Sequence, residues 1–298
     1  MFVSSWAWSP PIRSGHLPKL FLPIFVGVPI QFISRRRKLR VLLLSAVRRF
    51  PKHLSDGIVQ LAVSALPGGF KLHDVGKQSV VGRAGTGSLT SLRFELRASD
   101  RVSERADDER TEVATAAGSV PYDTDMWFSG AWLLEGGTSN TSAWMILFQI
   151  HCADRFILRP PLAFGFDRHV DQFHVWTTSD QNRKPSPETC VTTYRFGPSS
   201  FPRDRWIRFV IRTRIHHSGG GSLNVWRDGE AIVDASNISI GYCNDDAMYL
   251  KMGIYRATAP GGETQVVRVA NFEMSKHSLL DRVAKPLPIS TVARGLAQ

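Results

Sequence analysis

The 298-residue sequence predicts an all-β protein, a sandwich of two antiparallel sheets. Three observations lead there. About a dozen short segments combine β-branched and aromatic residues with two-residue alternation. Turns rich in Gly, Pro, Asn and Asp separate them. Helical periodicity is almost absent, and there is no internal repeat or heptad pattern.

In chain order, residues 70–75 and 79–81 read as short opening strands followed by Gly-rich turns. Over 88–97, Leu92, Phe94 and Leu96 fall on one face and Arg93, Glu95 and Arg97 on the other. Residues 100–108 form a charged loop. The strand at 109–115 turns Arg110 and Glu112 away from Glu109, Thr111 and Val113. Strands at 126–134 and 142–151 are expected as neighbours joined through the Gly136-Gly137 turn. Pro160 and Pro161 mark 156–166 as an edge segment. Further strands follow at 170–178, 189–196, 205–215 and 223–227. Asp228-Gly229 signals a hairpin returning through 231–233. Strands at 248–255 and 265–274 complete the set. The domain is expected over 68–277, between a basic tail at 1–67 and a C-terminal tail at 278–298, a short surface helix or disordered.

The net charge of +11 belongs mostly to the first tail. Residues 1–60 hold ten Lys/Arg against one Asp, a net of +9, which leaves +2 for the rest. The basicity therefore does not indicate a nucleic-acid partner for the domain. Residues 20–33 are apolar but interrupted by Pro23 and Pro29, and too short for an ordinary membrane-spanning helix. Arg35-Arg36-Arg37-Lys38 followed by apolar 41–47 resembles the start of a secretory signal, and Val63-Ser64-Ala65 offers the small residues a signal peptidase accepts. Arg48, Arg49 and Lys52 interrupt that pattern. The expectation is a secreted or periplasmic monomer with an atypical signal region and no stable membrane span. Three cysteines, Cys152, Cys190 and Cys243, are too few for a disulfide framework, and no Cys/His spacing indicates zinc.

The functional signal lies in three strands. In Trp144-Met-Ile-Leu-Phe-Gln-Ile-His151, Gln149 and His151 share one face while Phe148 and Ile150 share the other. The same alternation turns Cys152 away from His151, which argues against a thiol nucleophile. In Tyr249-Leu-Lys-Met-Gly-Ile-Tyr-Arg256, Tyr249, Lys251, Gly253 and Tyr255 share a face opposite Leu250, Met252 and Ile254. A Gly inside a strand marks close approach of a ligand or of another backbone. The third strand carries Arg110-Thr111-Glu112. R-T-E, Q-I-H and Y-x-K-x-G-x-Y, in that order, resemble the signature strands of jelly-roll polysaccharide lyases. The phrases Arg93-Phe-Glu-Leu-Arg97, Glu109-Arg-Thr-Glu112 and Y-L-K-M-G-I-Y-R look most like the heparin lyase I and glucuronan lyase group, and alginate lyases of the same fold carry similar strands.

That resemblance implies a concanavalin A-like β-jelly roll that cleaves a uronate-containing anionic polysaccharide by β-elimination, leaving unsaturated ends. Such chemistry removes a proton from the carbon beside the uronate carboxylate and protonates the departing glycosidic oxygen. An arginine fork and an amide donor suit the carboxylate, because charge-assisted bonds stabilise the charge developing there. Histidine suits the base, with an unperturbed pKa of about 6.5. A tyrosine suits the acid, or the base when a nearby cation favours phenolate. By resemblance these roles go to Arg110, Gln149, His151 and one tyrosine: the heparin lyase I pattern points to Tyr255, the alginate lyase pattern to Tyr249. Lys251, Arg93 and Arg97 are candidate substrate-binding residues, the two arginines on the same cleft face. No cofactor is required; a structural calcium is an option implied by the resemblance alone.

Two other classes compete. A retaining glycoside hydrolase needs two carboxylates about 5–5.5 Å apart, and no E-x-D-x-x-E strand occurs; Asp107-Asp108-Glu109 reads as a turn-like cluster. A non-catalytic, lectin-like sugar-binding module is the stronger rival, since the fold does not fix activity.

Overall fold

The computed structural model describes residues 59–60, 70–73, 80–84, 91–97, 108–137, 141–152, 158–167, 172–243, 247–259 and 261–284. The strands begin with β1 (Val59–Gln60), β2 (Lys71–His73), β3 (Val80–Ala84), β4 (Ser91–Leu96), β5 (Asp108–Ala114), β6 (Asp125–Leu134), β7 (Trp144–His151) and β8 (Leu162–Asp167). They continue with β9 (Gln172–Asp180), β10 (Val191–Ser200), β11 (Ile207–Arg214), β12 (Gly221–Arg227), β13 (Glu230–Ile238), β14 (Gly241–Tyr242), β15 (Tyr249–Ala257) and β16 (Gln265–Ser275). One sheet runs β1-β3-β4-β16-β6-β11-β12-β13, the other β10-β9-β8-β7-β15-β5-β2, with β14 added parallel to β9.

The sheets pack face to face on an aromatic core, the expected result of two-residue alternation on both inner faces. Trp132 of β6 meets Phe148, Phe164 and Phe209 edge-on, with ring centroids 6.2, 5.1 and 5.7 Å away. Phe164 stacks on Phe148 at 5.0 Å and on Phe209 at 4.9 Å. Leu92, Phe94 and Leu96 enter this core as the alternation requires, and so do Phe148 and Ile150. The Asp228-Gly229 hairpin also forms as expected. Both residues are left-handed, φ 49° and 93°, the pattern of a tight two-residue turn between β12 and β13.

Three expectations are corrected. β6 and β7 are not a hairpin; they lie in different sheets, so the chain changes sheets between them. β8 is not an edge strand but sits between β7 and β9. Its prolines precede the strand, where no ladder N–H is needed, and the Pro161 carbonyl still accepts from the Thr178 N–H at 2.9 Å. Val59 and Gln60, assigned to the tail, pair with β3 as β1. The C-terminal tail begins with a short 3-10 helix at Leu280–Arg282, one of the two forms expected for it, and Leu279 just before it lies with Trp127 and Val210 of the first sheet. The basic and apolar runs of the N-terminal tail, and Val63-Ser64-Ala65, lie outside the described residues.

Strict alternation fails once on β7. Leu147 and Phe148 are consecutive, yet both are core residues. The register slips at this point against both β8 and β15, which identifies a β-bulge. Trp144 and Ile146 therefore share the outer face with Gln149 and His151. Gly253 stands opposite the bulge with φ +141°, and a Cβ there would sit 2.2 Å from the Thr111 carbonyl oxygen. Close approach of a backbone thus explains this glycine.

Gly253→Ala is expected to destabilise the fold by at least ~1–3 kcal/mol, the cost of forcing a side chain into such a backbone region. A urea titration measures this; an unchanged midpoint would contradict the bulge geometry.

Candidate active site

The three motif strands are neighbours in the middle of the second sheet, in the order β7-β15-β5. Their register opposes Tyr249 to His151 and Lys251 to Gln149, and Gly253 to Glu112 and Tyr255 to Arg110. The side chains among these face outward, away from the aromatic core, whereas a Cβ at Gly253 would meet Phe94 of the core at 3.0 Å. The structure therefore brings Arg110, Gln149, His151, Lys251, Tyr249 and Tyr255 onto one face of the sheet, where Arg110 and Tyr255 are partly exposed and the other four are buried.

At one end, the Arg110 guanidinium lies over the Tyr255 ring, 4.0 Å from its centroid. Asp108 holds both: its Oδ2 accepts from Arg110 Nη2 at 2.9 Å and from the Tyr255 hydroxyl at 3.1 Å. Trp144 closes the side of Tyr255, edge-on at 4.7 Å. Burial pushes the Tyr255 phenol well above its ordinary range, the Asp108 charge adds to this, and Arg110 opposes it. Tyr255 is therefore held as the neutral phenol, an O–H donor. The Arg110 side chain keeps 13% exposure, so this end is open to solvent.

In the middle, Gln149 reaches over the side-chain-free Gly253, and its Nε2 donates to Glu112 Oε1 at 2.7 Å. Both residues are buried. One of the two amide hydrogens is thus taken by Glu112, leaving one for another acceptor. At the far end, His151 Nδ1 lies 2.9 Å from the Cys152 carbonyl. A carbonyl only accepts, so Nδ1 carries the proton and Nε2 is the basic nitrogen of the neutral ring. The Tyr249 ring flanks His151 at 5.9 Å, and Lys251 Nζ lies 5.4 Å from the centroid of Tyr249. Cys152 points into the core, and none of the three cysteines forms a disulfide.

The reverse side of the same strands carries a buried ion pair. Arg256 is fully buried, and its Nε donates to Glu109 Oε2 at 2.8 Å and its Nη2 to the Glu263 carbonyl at 2.7 Å. Glu263 in turn accepts from the Thr141 backbone N–H at 2.5 Å and from its hydroxyl at 2.8 Å. This pair fixes β15 against β5 directly beneath Arg110 and Tyr255.

Arg93 and Arg97 do not belong to the site. They sit on β4 and just beyond its end, on the outer face of the other sheet, with the core between them and His151. Glu95 binds both, and Glu135 accepts a further bond from Arg93. Facing parity alone could not assign them to a sheet. Asp108 and Glu109 are strand residues, not part of a turn. Asp108 is the functional side chain that the sequence reading missed, since nothing local links it to Tyr255, 147 positions away. No group of three or more His, Cys, Asp or Glu side chains converges among the described residues. Among the described residues no helix is long and apolar enough to cross a membrane.

The sequence profile of a family described as polysaccharide lyase matches residues 71–275, which contain every one of these side chains. The chain belongs to that polysaccharide lyase family. Membership selects the lyase over the sugar-binding module and the hydrolase. Among solved structures, an endo-β-1,4-glucuronan lyase from the fungus Trichoderma reesei superposes with a TM-score of 0.59 at 13% identity, covering 70% of this chain and 92% of that one. An alginate lyase from Pseudomonas aeruginosa reaches a TM-score of 0.42 at 16% identity, covering 64% and 87%. No curated protein gives a significant match. The glucuronan lyase match shows that this lyase shares the jelly-roll sandwich.

Arg256→Met should lower the stability of the lyase by about 3–5 kcal/mol, because it strands the Glu109 carboxylate in the interior. Chemical denaturation checks this, and Arg256→Met with Glu109→Leu should recover much of the loss. Tyr255 gives a pH signature. Its raised folded value means that its contribution is complete below the unfolded phenol pKa of about 10 and is lost as pH rises towards the folded one. Above about pH 10, wild-type stability should fall more steeply than that of Tyr255→Phe, by at most ~1.4 kcal/mol per pH unit. Parallel curves in denaturant titrations would contradict the burial of this phenol.

Proposed function

We propose that this polysaccharide lyase cleaves a uronate-containing anionic polysaccharide by β-elimination, with Arg110, Gln149, His151 and Tyr255 as the working residues. The observation that carries the reading is the stack of the Arg110 guanidinium on a phenol held neutral. A uronate carboxylate gripped by Arg110 brings its neighbouring C–H and the departing oxygen next to the Tyr255 hydroxyl. Arg110 and the remaining Gln149 hydrogen stabilise the charge that develops on the carboxylate when the proton leaves. His151 Nε2 takes that proton, and Tyr255 gives its own to the leaving glycosidic oxygen. Asp108 aligns Tyr255 and Arg110 for one sugar.

A second assignment of the acid rests on a separate observation. By register, His151 and Tyr255 are five residues apart along β7, ~16 Å between backbones, so they serve one ring only if both leave their bonds to the Cys152 carbonyl and to Asp108 and lean together over the Gln149–Glu112 pair. Tyr249, in contrast, lies against His151. Tyr249 with His151 would then form the proton-transfer pair, and Lys251 with Gln149 the carboxylate clamp.

Glucuronan, alginate and heparin-like chains are the substrates to compare, with ultraviolet absorbance of the unsaturated product as readout. His151→Ala is expected to lose about 10²–10⁴-fold in turnover, the usual cost of a missing general base. Tyr255→Phe is expected to fall comparably and Tyr249→Phe by much less; the reverse order would transfer the role to Tyr249. Ile150→Val, facing the core, should keep its rate per folded molecule. Undiminished turnover in His151→Ala, or products without the unsaturated ring, would sink the proposal.

A further inference from the structure

The surface that carries the site continues past β7 across the rest of the sheet. The cross-strand ladder through Lys251 and Gln149 runs on to Ala163 on β8, Trp176 on β9 and Tyr194 on β10. The adjacent ladder, on the His151 side, ends in Thr178 and Thr192, whose hydroxyls are 3.2 Å apart. There Arg159 Nη1 donates to Thr192 Oγ1 at 3.0 Å. Among the described residues the half-buried Arg159 has no carboxylate partner, so its guanidinium keeps donors for one.

Tyr194 is the exposed aromatic ring of this region, at 42%. It stands edge-on to His174 at 5.0 Å and lies 6.4 Å from Trp176. Its hydroxyl donates to Asp167, which pins the ring. Asp167 is the cross-strand partner of Trp144, so its charge lies towards the Tyr255 side of the ring, while Arg159 lies towards the other. The result is a fixed ring face with an available guanidinium beside it.

We propose that Tyr194, Trp176 and Arg159 form a distal subsite for a second acidic sugar of the same polysaccharide chain. The ring packs against the sugar's apolar face, and Arg159 forks onto its carboxylate. Trp176 is two strand spacings from Gln149 and Tyr194 is three, ~10 and ~14 Å, a separation that fits a sugar further along the polymer and not the one being cleaved. The charge of the occupant rests on the uronate reading above; its position rests on the ladder.

The test uses the full chain carrying His151→Ala, so that the polymer is bound and not consumed. Glucuronan oligosaccharides of increasing length are titrated by calorimetry, alone and after adding Tyr194→Ala, Tyr194→Phe or Arg159→Gln. Long oligosaccharides should bind about tenfold more weakly with Tyr194→Ala and with Arg159→Gln, while the disaccharide is unaffected and Tyr194→Phe, which keeps the ring but not its bond to Asp167, loses less than Tyr194→Ala. With His151 present, the same two substitutions should raise KM on the polymer and leave kcat unchanged. Equal affinity of all variants for long chains would overturn the proposal, and so would a loss independent of length. If the wild-type chain yields no unsaturated product from any uronate polymer, β-elimination fails as a reading. The length-dependent binding still decides the subsite.

Discussion

Arg256 is a charged side chain with no access to water, and it can stay charged only if a carboxylate meets it. Glu109 meets it from the neighbouring strand. That requirement allows β15 a single register on β5, because a slip of one residue would exchange the two faces of the strand and separate the pair. The next residues along, Tyr255 and Arg110, face the other way and are stacked by the same register. An ion pair with no access to substrate thus sets the geometry of the groups that do have it.

The bulge at Leu147 has a similar indirect effect. Without it, alternation would bring Met145 and Leu147 to the surface beside Gln149 and bury Trp144. With it, Trp144 and Ile146 come out to pack around Tyr255, and Gly253 gives the backbone its path. The phenol is consequently surrounded by apolar neighbours on one side and by a guanidinium and a carboxylate on the other. Its acidity follows from that mixture, in which desolvation is the stronger influence.

Much of this was legible in the sequence because alternation is local. The faces of Arg110 and Glu112, of Gln149 and His151, and of Phe148 and Ile150 all follow from counting by two. What was not legible is which strands lie side by side. Arg93 has the right facing for a site residue but lies on the wrong sheet. The Gly136-Gly137 turn looked like a hairpin, although the chain uses it to change sheets. Pro160 and Pro161 suggested an edge, since one residue decides whether a proline interrupts a strand or precedes it. Asp108, Arg159 and Tyr194 gain their meaning only from partners brought close by pairing between distant strands, and no local pattern encodes those partners.

The two final strands occupy the middle of their sheets. β16 lies between β4 and β6, and β15 between β7 and β5. During synthesis, a chain that has not yet reached Tyr249 therefore presents, besides the outer edges, four strand edges that are covered in the folded protein, two in each unfinished sheet, and both gaps flank apolar core. Neither half can close locally, since the missing strand arrives last and must be inserted between two strands already made. Pairings of such long sequence separation form slowly. The interval before they form is when this chain is most exposed to pairing with another copy of itself.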